Sequence, residues 1–186
     1  MELDTLSNKQ LIAALKACAT LDIALCEEAH IRSFAYQADW QPGIDIATYD
    51  NGGGDNLLII IKGDAILIKG FDHESEVSPY AQEEYGIWPG IYDGAPAELL
   101  AMLDNDAFER DDVTFCFWRT TNTGTWQQGP VEFPNNEDDG SNWLLAAIRT
   151  TAKEFIDYAT YYYQDDFNKM TPAKVHQVFK QYELAQ

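Results

Sequence analysis

An unbroken apolar run at residues 57–61 does most to limit the folds open to this chain of 186 residues. A short run of this kind is typical of a strand that is covered on both faces. Gly63 and Asp64 then form a two-residue hairpin loop with glycine first, and residues 65–69 are expected to return as the next strand. The pattern therefore predicts an antiparallel hairpin in the interior of a sheet.

Further segments on both sides of this hairpin have the two-residue period of strands. From Phe34 onward the period is two, and residues 44–49 alternate up to the turn Asn-Gly-Gly-Gly at 51–54. Residues 113–119 alternate bulky side chains on both faces and are expected to form a fourth strand, which turns at 122–124 into residues 125–128. These segments predict a meander of antiparallel strands.

Helix signals flank the strand region at both ends of the chain. Ser7 and Gln10 form a capping box that predicts a helix that begins at about 8 and ends either at about 19 or, past Asp22, at about 28. Thr171 followed by Pro172 predicts the start of the last helix. Helical spacing predicts a long helix over 142–163, Ser78 with Pro79 a short helix, and Pro96 a helix to about 103. Residues 134–141 are expected to be a mobile acidic loop.

These elements together predict an α+β fold of one domain, residues 1–186. Its core is expected to be a mainly antiparallel sheet of four to six strands, with the N-terminal and C-terminal helices packed on one face. Helices that are separated from a contiguous strand region favour this class over a parallel doubly wound sheet.

Composition excludes disorder and places the chain in a broad class. Apolar residues make up 46% of the chain and aromatic residues 13%, which is enough to build a core. The absence of a long apolar run and of a secretory signal predicts a cytoplasmic protein. Cys18, Cys26 and Cys116 form no CxxC pair and are expected to be free thiols, mostly buried.

The acidic charge is concentrated in the middle of the sequence. The formal net charge is −19, and residues 71–143 contain 16 acidic residues but only two basic ones, Arg110 and Arg119. Such a field repels nucleic acid and anionic membranes and attracts basic proteins. We therefore expect no nucleic-acid or membrane partner. Solubility alone is the competing explanation of this charge.

Catalytic and metal-binding signatures are scarce. His30, His73 and His176 form no pair with metal-ligand spacing, and the chain contains neither GxSxG nor a phosphate-binding GxxxxGK[ST] motif. One local cluster, Asp72-His73-Glu74, combines an acid, a base and a possible metal ligand. Because adjacent side chains of an extended chain point to opposite sides, we expect these three not to converge on one ion. No catalytic residue, metal ligand or cofactor is predicted.

An aromatic tract at residues 86–94 is the most unusual part of the sequence. Trp88 and Tyr92 are fixed there between proline and glycine residues. Such side chains offer a large apolar area at a low entropy cost, so they suit a rigid contact surface. The alternative is that both rings fill one end of the sheet core.

Residues 68–75, 88–94 and 113–119 resemble a group of small uncharacterised bacterial proteins, which look like the immunity proteins encoded beside secreted toxins. The resemblance covers roughly residues 55–120 and transfers no functional residue. It implies a protein that binds and inhibits a toxin domain.

The leading hypothesis is a non-enzymatic bacterial immunity or inhibitor protein that neutralises a basic toxin domain through an acidic surface. Acidic residues from 72–84 and 104–112 are expected on one face, with an aromatic anchor. The alternative is an enzyme or small-ligand-binding domain with a site near Asp72, His73 and Glu74, and a third possibility is a DNA mimic. The residues predicted to bind the partner are Asp72, Glu74, Glu76, Glu83, Glu84, Trp88, Tyr92, Asp111 and Asp112.

Overall fold

A computed structural model describes residues 3–121, 124–133 and 137–185 of the protein. Its strands form one antiparallel sheet in which spatial order follows sequence order. The α+β class and the antiparallel sheet are as expected from the sequence. The strands are β1 (Phe34–Gln41), β2 (Ile44–Asp50), β3 (Asn56–Lys62), β4 (Ala65–Phe71), β5 (Phe115–Arg119) and β6 (Gln127–Gln128).

The hairpin of β3 and β4 lies in the interior of the sheet, as predicted. Lys62 pairs with Ala65 across the two-residue loop, and Gly63 has a φ of +58°, which favours glycine. All five residues of 57–61 are buried because both faces of the sheet are covered. Leu57, Ile59 and Ile61 pack on one side, while Leu58 and Ile60 pack on the other.

Helices cover the first face of the sheet. The N-terminal and C-terminal helices pack there together with α3 and α4 around the larger core, which confirms the predicted arrangement. The Ser7 capping box and the Thr171 cap are both present. The helices are α1 (Asn8–Leu25), α2 (Ala97–Leu100), α3 (Ser141–Ala147), α4 (Ala152–Tyr162) and α5 (Pro172–Leu184).

The prediction of one long helix over 142–163 is wrong, since α3 ends at Ala147 and α4 begins at Ala152. Thr151 caps α4: its hydroxyl accepts a hydrogen bond from the Glu154 backbone N–H at 3.2 Å, and the Glu154 carboxylate accepts one from the Thr151 backbone at 3.1 Å. This reciprocal capping box starts a new helix inside an unbroken apolar period. The sequence pattern Thr-x-x-Glu was the signal for the break.

The short helix predicted at Ser78 and Pro79 also needs correction. Residues after Ser78 form turns rather than a helix, with the Ala81 backbone N–H donating to the Ser78 carbonyl at 3.0 Å. The segment that has a two-residue period from Phe34 onward forms two strands, β1 and β2, because the chain reverses at Pro42-Gly43, where Gly43 has a φ of +75°. Asn122 and Thr123 of the predicted turn, and residues 134–136 of the predicted acidic loop, lie outside the described residues.

A long connection between β4 and β5 covers the second face of the sheet. Ile91, Leu99, Leu103 and Val113 from this connection pack on Leu58, Ile60, Leu67 and Trp118 of the sheet, and form a second core. The helix predicted after Pro96 is present as α2, followed by a 3₁₀ turn to Asp104. The connection also contains all nine residues predicted to bind a partner. Its packing therefore fixes where those residues lie.

Three further features complete the fold. The buried guanidinium of Arg119 donates to the Asn8 side chain at 2.8 Å and to the Leu6 carbonyl at 2.9 Å, which ties β5 to the start of α1. Cys18, Cys26 and Cys116 are free thiols, the first and last of them buried, as expected. Among the described helices, none has the length and apolar character needed to cross a membrane.

Candidate functional site

Two acidic clefts lie along the connection between β4 and β5. The first, here called the tyrosine cleft, has a volume of about 440 Å³ and is formed by Tyr80, Tyr85 and the segment 103–112. The second, here called the carboxylate cleft, has a volume of about 620 Å³. Among the residues that the structure describes, its lining contains six carboxylate side chains and no basic one. The lining is formed by Asp55, Asp72, Glu74, Ser75, Glu76, Glu137, Asp138 and Trp143.

Two exposed aromatic rings form one wall of the tyrosine cleft. Tyr80 is 63% exposed and Tyr85 is 56% exposed, and their ring centroids lie 5.1 Å apart. The Tyr85 hydroxyl donates to the Asp112 carboxylate at 3.3 Å. Hydrogen bonding to Asp112 raises the pKa of Tyr80, while burial and the Asp112 charge raise the pKa of Tyr85 to about 12. Both hydroxyls therefore keep their protons at neutral pH.

A buried lysine positions the acidic turn that lines this cleft. The Lys69 ammonium lies on β4, is 1% exposed, and donates to the carbonyls of Phe108 at 2.9 Å and Glu109 at 2.8 Å. Burial lowers the pKa of Lys69 to about 8, although the charges of Asp112 and Glu109 oppose that shift. Glu109 turns the chain with a left-handed φ of +45°. The Lys69 side chain thus fixes the turn that precedes Asp111 and Asp112.

Most of the acidic charge around the tyrosine cleft has no basic counterpart. Arg110 pairs with Asp104, and Arg119 is buried against the N-terminal segment. Within the described part of the chain, no ion pair closer than 4.0 Å involves the other acidic residues of the cleft, which are Asp106, Glu109, Asp111 and Asp112. An approaching cation therefore meets carboxylates without a direct ion pair, although the buried Lys69 ammonium offsets part of the charge of Asp112 and Glu109.

The carboxylate cleft lies where β3 begins and β4 ends. Asn56 pairs with Phe71 across these strands, so the residue before β3, Asp55, lies beside the residues that follow β4. The Asp55 carboxylate accepts the His73 backbone N–H at 2.9 Å, and its Oδ1 lies 2.7 Å from His73 Nδ1. Asn51 donates to the second oxygen of Asp55 at 2.5 Å. Asp55 is therefore held in one orientation.

Asp72 is also held by neighbours. Its carboxylate accepts the Trp143 indole N–H at 2.9 Å and the Glu74 backbone N–H at 3.0 Å, while its own N–H donates to Thr114 at 3.2 Å. One donor atom from each of Asp55, Asp72 and His73 lies within 4.8 Å of the others. The structure thus gathers two carboxylates and an imidazole at one end of the β3 and β4 hairpin.

Charge interactions change the acidity of this group. The hydrogen bond that His73 donates to the Asp55 carboxylate raises the pKa of His73, since a neighbouring carboxylate favours the imidazolium. Burial opposes ionisation of Asp55, but hydrogen bonds from His73 and Asn51 outweigh it and lower the pKa of that carboxyl. The Asp55 carboxylate is therefore charged at neutral pH, with an imidazole beside it.

Of the predicted cluster Asp72-His73-Glu74, the first two residues belong to this group and Glu74 does not. One oxygen of the Glu74 carboxylate lies 3.9 Å from His73 Nε2, but Glu74 is not among the residues whose donor atoms lie within 4.8 Å of one another. The third member is Asp55, which sequence reasoning missed because it lies in a separate turn. The register of the predicted hairpin could have revealed Asp55. A two-residue loop between paired strands places the residue before the first strand, Asp55, beside the residues after the second strand, Asp72 and His73.

Trp88 and Tyr92 are half-buried and pack against the second core. The Trp88 indole N–H donates to the Glu132 carbonyl at 3.3 Å, and the Tyr92 hydroxyl donates to the Arg110 carbonyl at 2.7 Å. The exposed aromatic rings near the acidic residues are instead Tyr80, Tyr85 and Trp143, which sequence reasoning did not single out.

The acidic residues predicted to bind a partner occupy different places. Glu83 and Glu84 are exposed and precede Tyr85. Asp72, Glu74 and Glu76 line the carboxylate cleft, while Asp111 and Asp112 line the tyrosine cleft. A single continuous acidic face stays a prediction.

No protein-family model matches the chain, and neither a curated protein nor a solved structure matches it. The geometry and charge of the two clefts are therefore the basis for assigning a function.

Proposed function

We propose that the protein is a non-enzymatic inhibitor of a basic protein, and that it serves as a bacterial immunity protein that neutralises a toxin domain in the cytoplasm. The observation that carries the proposal is the tyrosine cleft, which two exposed tyrosine rings line together with four carboxylates that make no ion pair in the described chain. This combination suits a lysine or arginine side chain of the partner. Neither nucleic acid nor a membrane is the proposed partner, because the acidic field repels both.

The aromatic rings and the carboxylates have different roles in this proposal. A cation above a tyrosine face is attracted by the ring quadrupole, and the attraction is about 0.5–2 kcal/mol, larger as water is excluded. Carboxylates such as Asp111 and Asp112 act at longer range and raise the rate of encounter. The tyrosine rings would therefore slow dissociation, and the charges would speed association.

The inhibitor would act by occlusion. A basic residue of the toxin enters the tyrosine cleft, and the surrounding carboxylates, including Glu83 and Glu84, pair with its neighbours. Tyr92 supports this surface, because its hydroxyl donates to the Arg110 carbonyl at 2.7 Å, while Trp88 packs on the second core. Covering a basic active-site rim in this way would deny the toxin its substrate.

The test is binding to the product of the neighbouring open reading frame, measured by stopped-flow mixing. Raising the ionic strength from about 0.05 to 0.5 M should slow association at least about tenfold, because salt screens exposed charges. Asp111→Asn with Asp112→Asn should reproduce part of that effect. The matched control is Asp157→Asn with Asp166→Asn, which removes two charges that are already paired with Lys153 and Lys169.

The proposal predicts no change in association for this control pair. Association that is independent of salt would contradict steering by the acidic surface. If the neighbouring product does not bind at all, the proposed immunity function is wrong.

A further inference from the structure

The group formed by Asp55, Asp72 and His73 combines donor atoms that are typical ligands of transition metals. Imidazole nitrogen suits zinc, copper, iron and nickel, and carboxylate oxygens complete many such sites. The three donors come from two turns that the β3 and β4 pairing holds together, and they lie within 4.8 Å of one another. We propose that Asp55, Asp72 and His73 form a binding site for a divalent transition-metal ion such as Zn²⁺.

The spacing of the donors is close to what such an ion requires. Zinc lies about 2.0–2.2 Å from carboxylate oxygen and imidazole nitrogen. The 2.7 Å between Asp55 Oδ1 and His73 Nδ1 is the distance of a hydrogen bond. Two ligands of a tetrahedral zinc lie about 3.3 Å apart, so an ion that replaces the shared proton needs these atoms to part by roughly 0.6 Å. Asp72 then supplies the third donor from the same turn as His73.

Neighbouring groups already orient each donor, as the outer shell of a metal site does. Asn51 and the His73 backbone hold the Asp55 carboxylate, whose side chain is 9% exposed. The Trp143 indole and the Glu74 backbone hold Asp72. The His73 ring packs against Gly54, where an added Cβ would lie 3.3 Å from the ring. Little ordering entropy would remain to be lost on binding.

The surroundings favour a cation and leave room for water. Within the described chain, no basic side chain lines the carboxylate cleft beside the group. Four further acidic residues line it, which are Glu74, Glu76, Glu137 and Asp138. Three protein ligands leave at least one coordination position open for water or another small molecule. Structural zinc sites, in contrast, are closed by four protein ligands. His73 is 44% exposed, so an ion can enter from solvent. This inference does not depend on the proposed inhibitor function.

The experiment is calorimetric titration of the full chain with zinc in a buffer that does not chelate metal, with about 1 mM Mg²⁺ present. We expect one ion per chain. Asp72→Asn and His73→Ala should each weaken binding at least about tenfold. The matched control is His30→Ala, because His30 also lies near a carboxylate, 3.5 Å from Glu28, and has no third donor beside it in the described chain. Cys26→Ser tests whether the half-buried Cys26 thiol, which lies close to His30 in sequence, binds the ion instead.

X-ray absorption of the zinc-loaded natural protein gives a reading that needs no variant to fold. The expected first shell contains one imidazole nitrogen and otherwise oxygen. A sulfur ligand would assign the ion to a cysteine and overturn the proposal. The proposal is equally overturned by no binding at about 1 mM zinc, by affinity that the Asp72 and His73 variants leave unchanged, or by loss of affinity in the His30 variant.

Discussion

The ammonium nitrogen of Lys69 lies 2.8 Å from the carbonyl oxygen of Glu109, so that a buried cation on a central strand holds the acidic turn of the tyrosine cleft. A lysine that is 1% exposed needs partners for its protons, and the carbonyls of Phe108 and Glu109 provide two of them. Lys69 therefore links the interior of the sheet to the surface that we propose binds the partner.

Replacing Lys69 by methionine should loosen this turn. The variant keeps the apolar stem but leaves two carbonyls without their donor, which costs about 1–3 kcal/mol of unfolding free energy. Urea denaturation measures that loss. Lys62→Met is the matched control, because the Lys62 ammonium is exposed and pairs with Glu98 at the surface, and we expect it to cost less than about 1 kcal/mol. Equal losses in the two variants would show that Lys69 has no special structural role.

Gly70 is required by the ring that lies across from it. Gly70 pairs with Phe115 of β5, and a Cβ on Gly70 would lie 2.0 Å from the far edge of the Phe115 ring. Gly70→Ala should therefore lower the unfolding free energy by about 1–3 kcal/mol, measured by chemical denaturation. Gly86→Ala is the control, since no heavy atom lies within 4 Å of its added Cβ. Adding Phe115→Leu should recover part of the loss, and no recovery would contradict the ring clash.

Asp22 should make stability depend on pH between about 4 and 6. Burial raises its pKa from 3.8 to about 6, although the Phe34 backbone N–H donates to it at 2.8 Å. The folded state therefore binds a proton more tightly than the unfolded state. The stability contributed by that proton is present at pH values below 4 and is lost as the pH rises through 6.

The size of this effect follows from the shift, since one pKa unit corresponds to 1.36 kcal/mol. Relative to Asp22→Asn, the natural protein should gain on the order of 2–3 kcal/mol as the pH falls from 7 to 4. Comparing the two proteins removes the general effect of the acidic net charge. If the unfolding free energies of the natural protein and of Asp22→Asn differ by the same amount at pH 4 and at pH 7, the raised pKa of Asp22 is contradicted.

Tyr85 and Trp88 should respond differently to truncation. Tyr85 is exposed in the tyrosine cleft, so Tyr85→Ala should speed dissociation of a basic partner and leave the melting temperature within about 2 °C, as surface substitutions usually do. Trp88→Ala should lower the melting temperature by several degrees, because the ring packs on Phe133 and the second core.

The control for this pair is Tyr161→Ala, which removes another exposed tyrosine, 84% exposed, from α4. It should change neither quantity. Trp88 is the aromatic contact residue instead if Trp88→Ala speeds dissociation without changing the melting temperature and Tyr85→Ala has no effect on binding.

Elements whose signals are local could be predicted from the sequence alone. The Ser7 capping box begins α1, the Gly63-Asp64 loop joins β3 to β4, and Thr171 with Pro172 begins α5. Each depends on residues within a few positions of one another, where backbone geometry and hydrogen bonding act without help from the rest of the fold. The continuous apolar run at 57–61 likewise required cover on both faces.

Contacts between distant side chains depend on the tertiary structure instead. Lys69 was predicted as the last residue of a strand. Its contact with Glu109, about 40 residues later in the connection that follows the strand, buries it. Asp55 joins His73 because strand pairing closes the distance between them. Trp88 packs inward while Tyr85 stays exposed, although both lie in one irregular stretch of aromatic, proline and glycine residues. Such a stretch has no period that assigns a face, so the shape of the sheet beneath it decides which ring is buried.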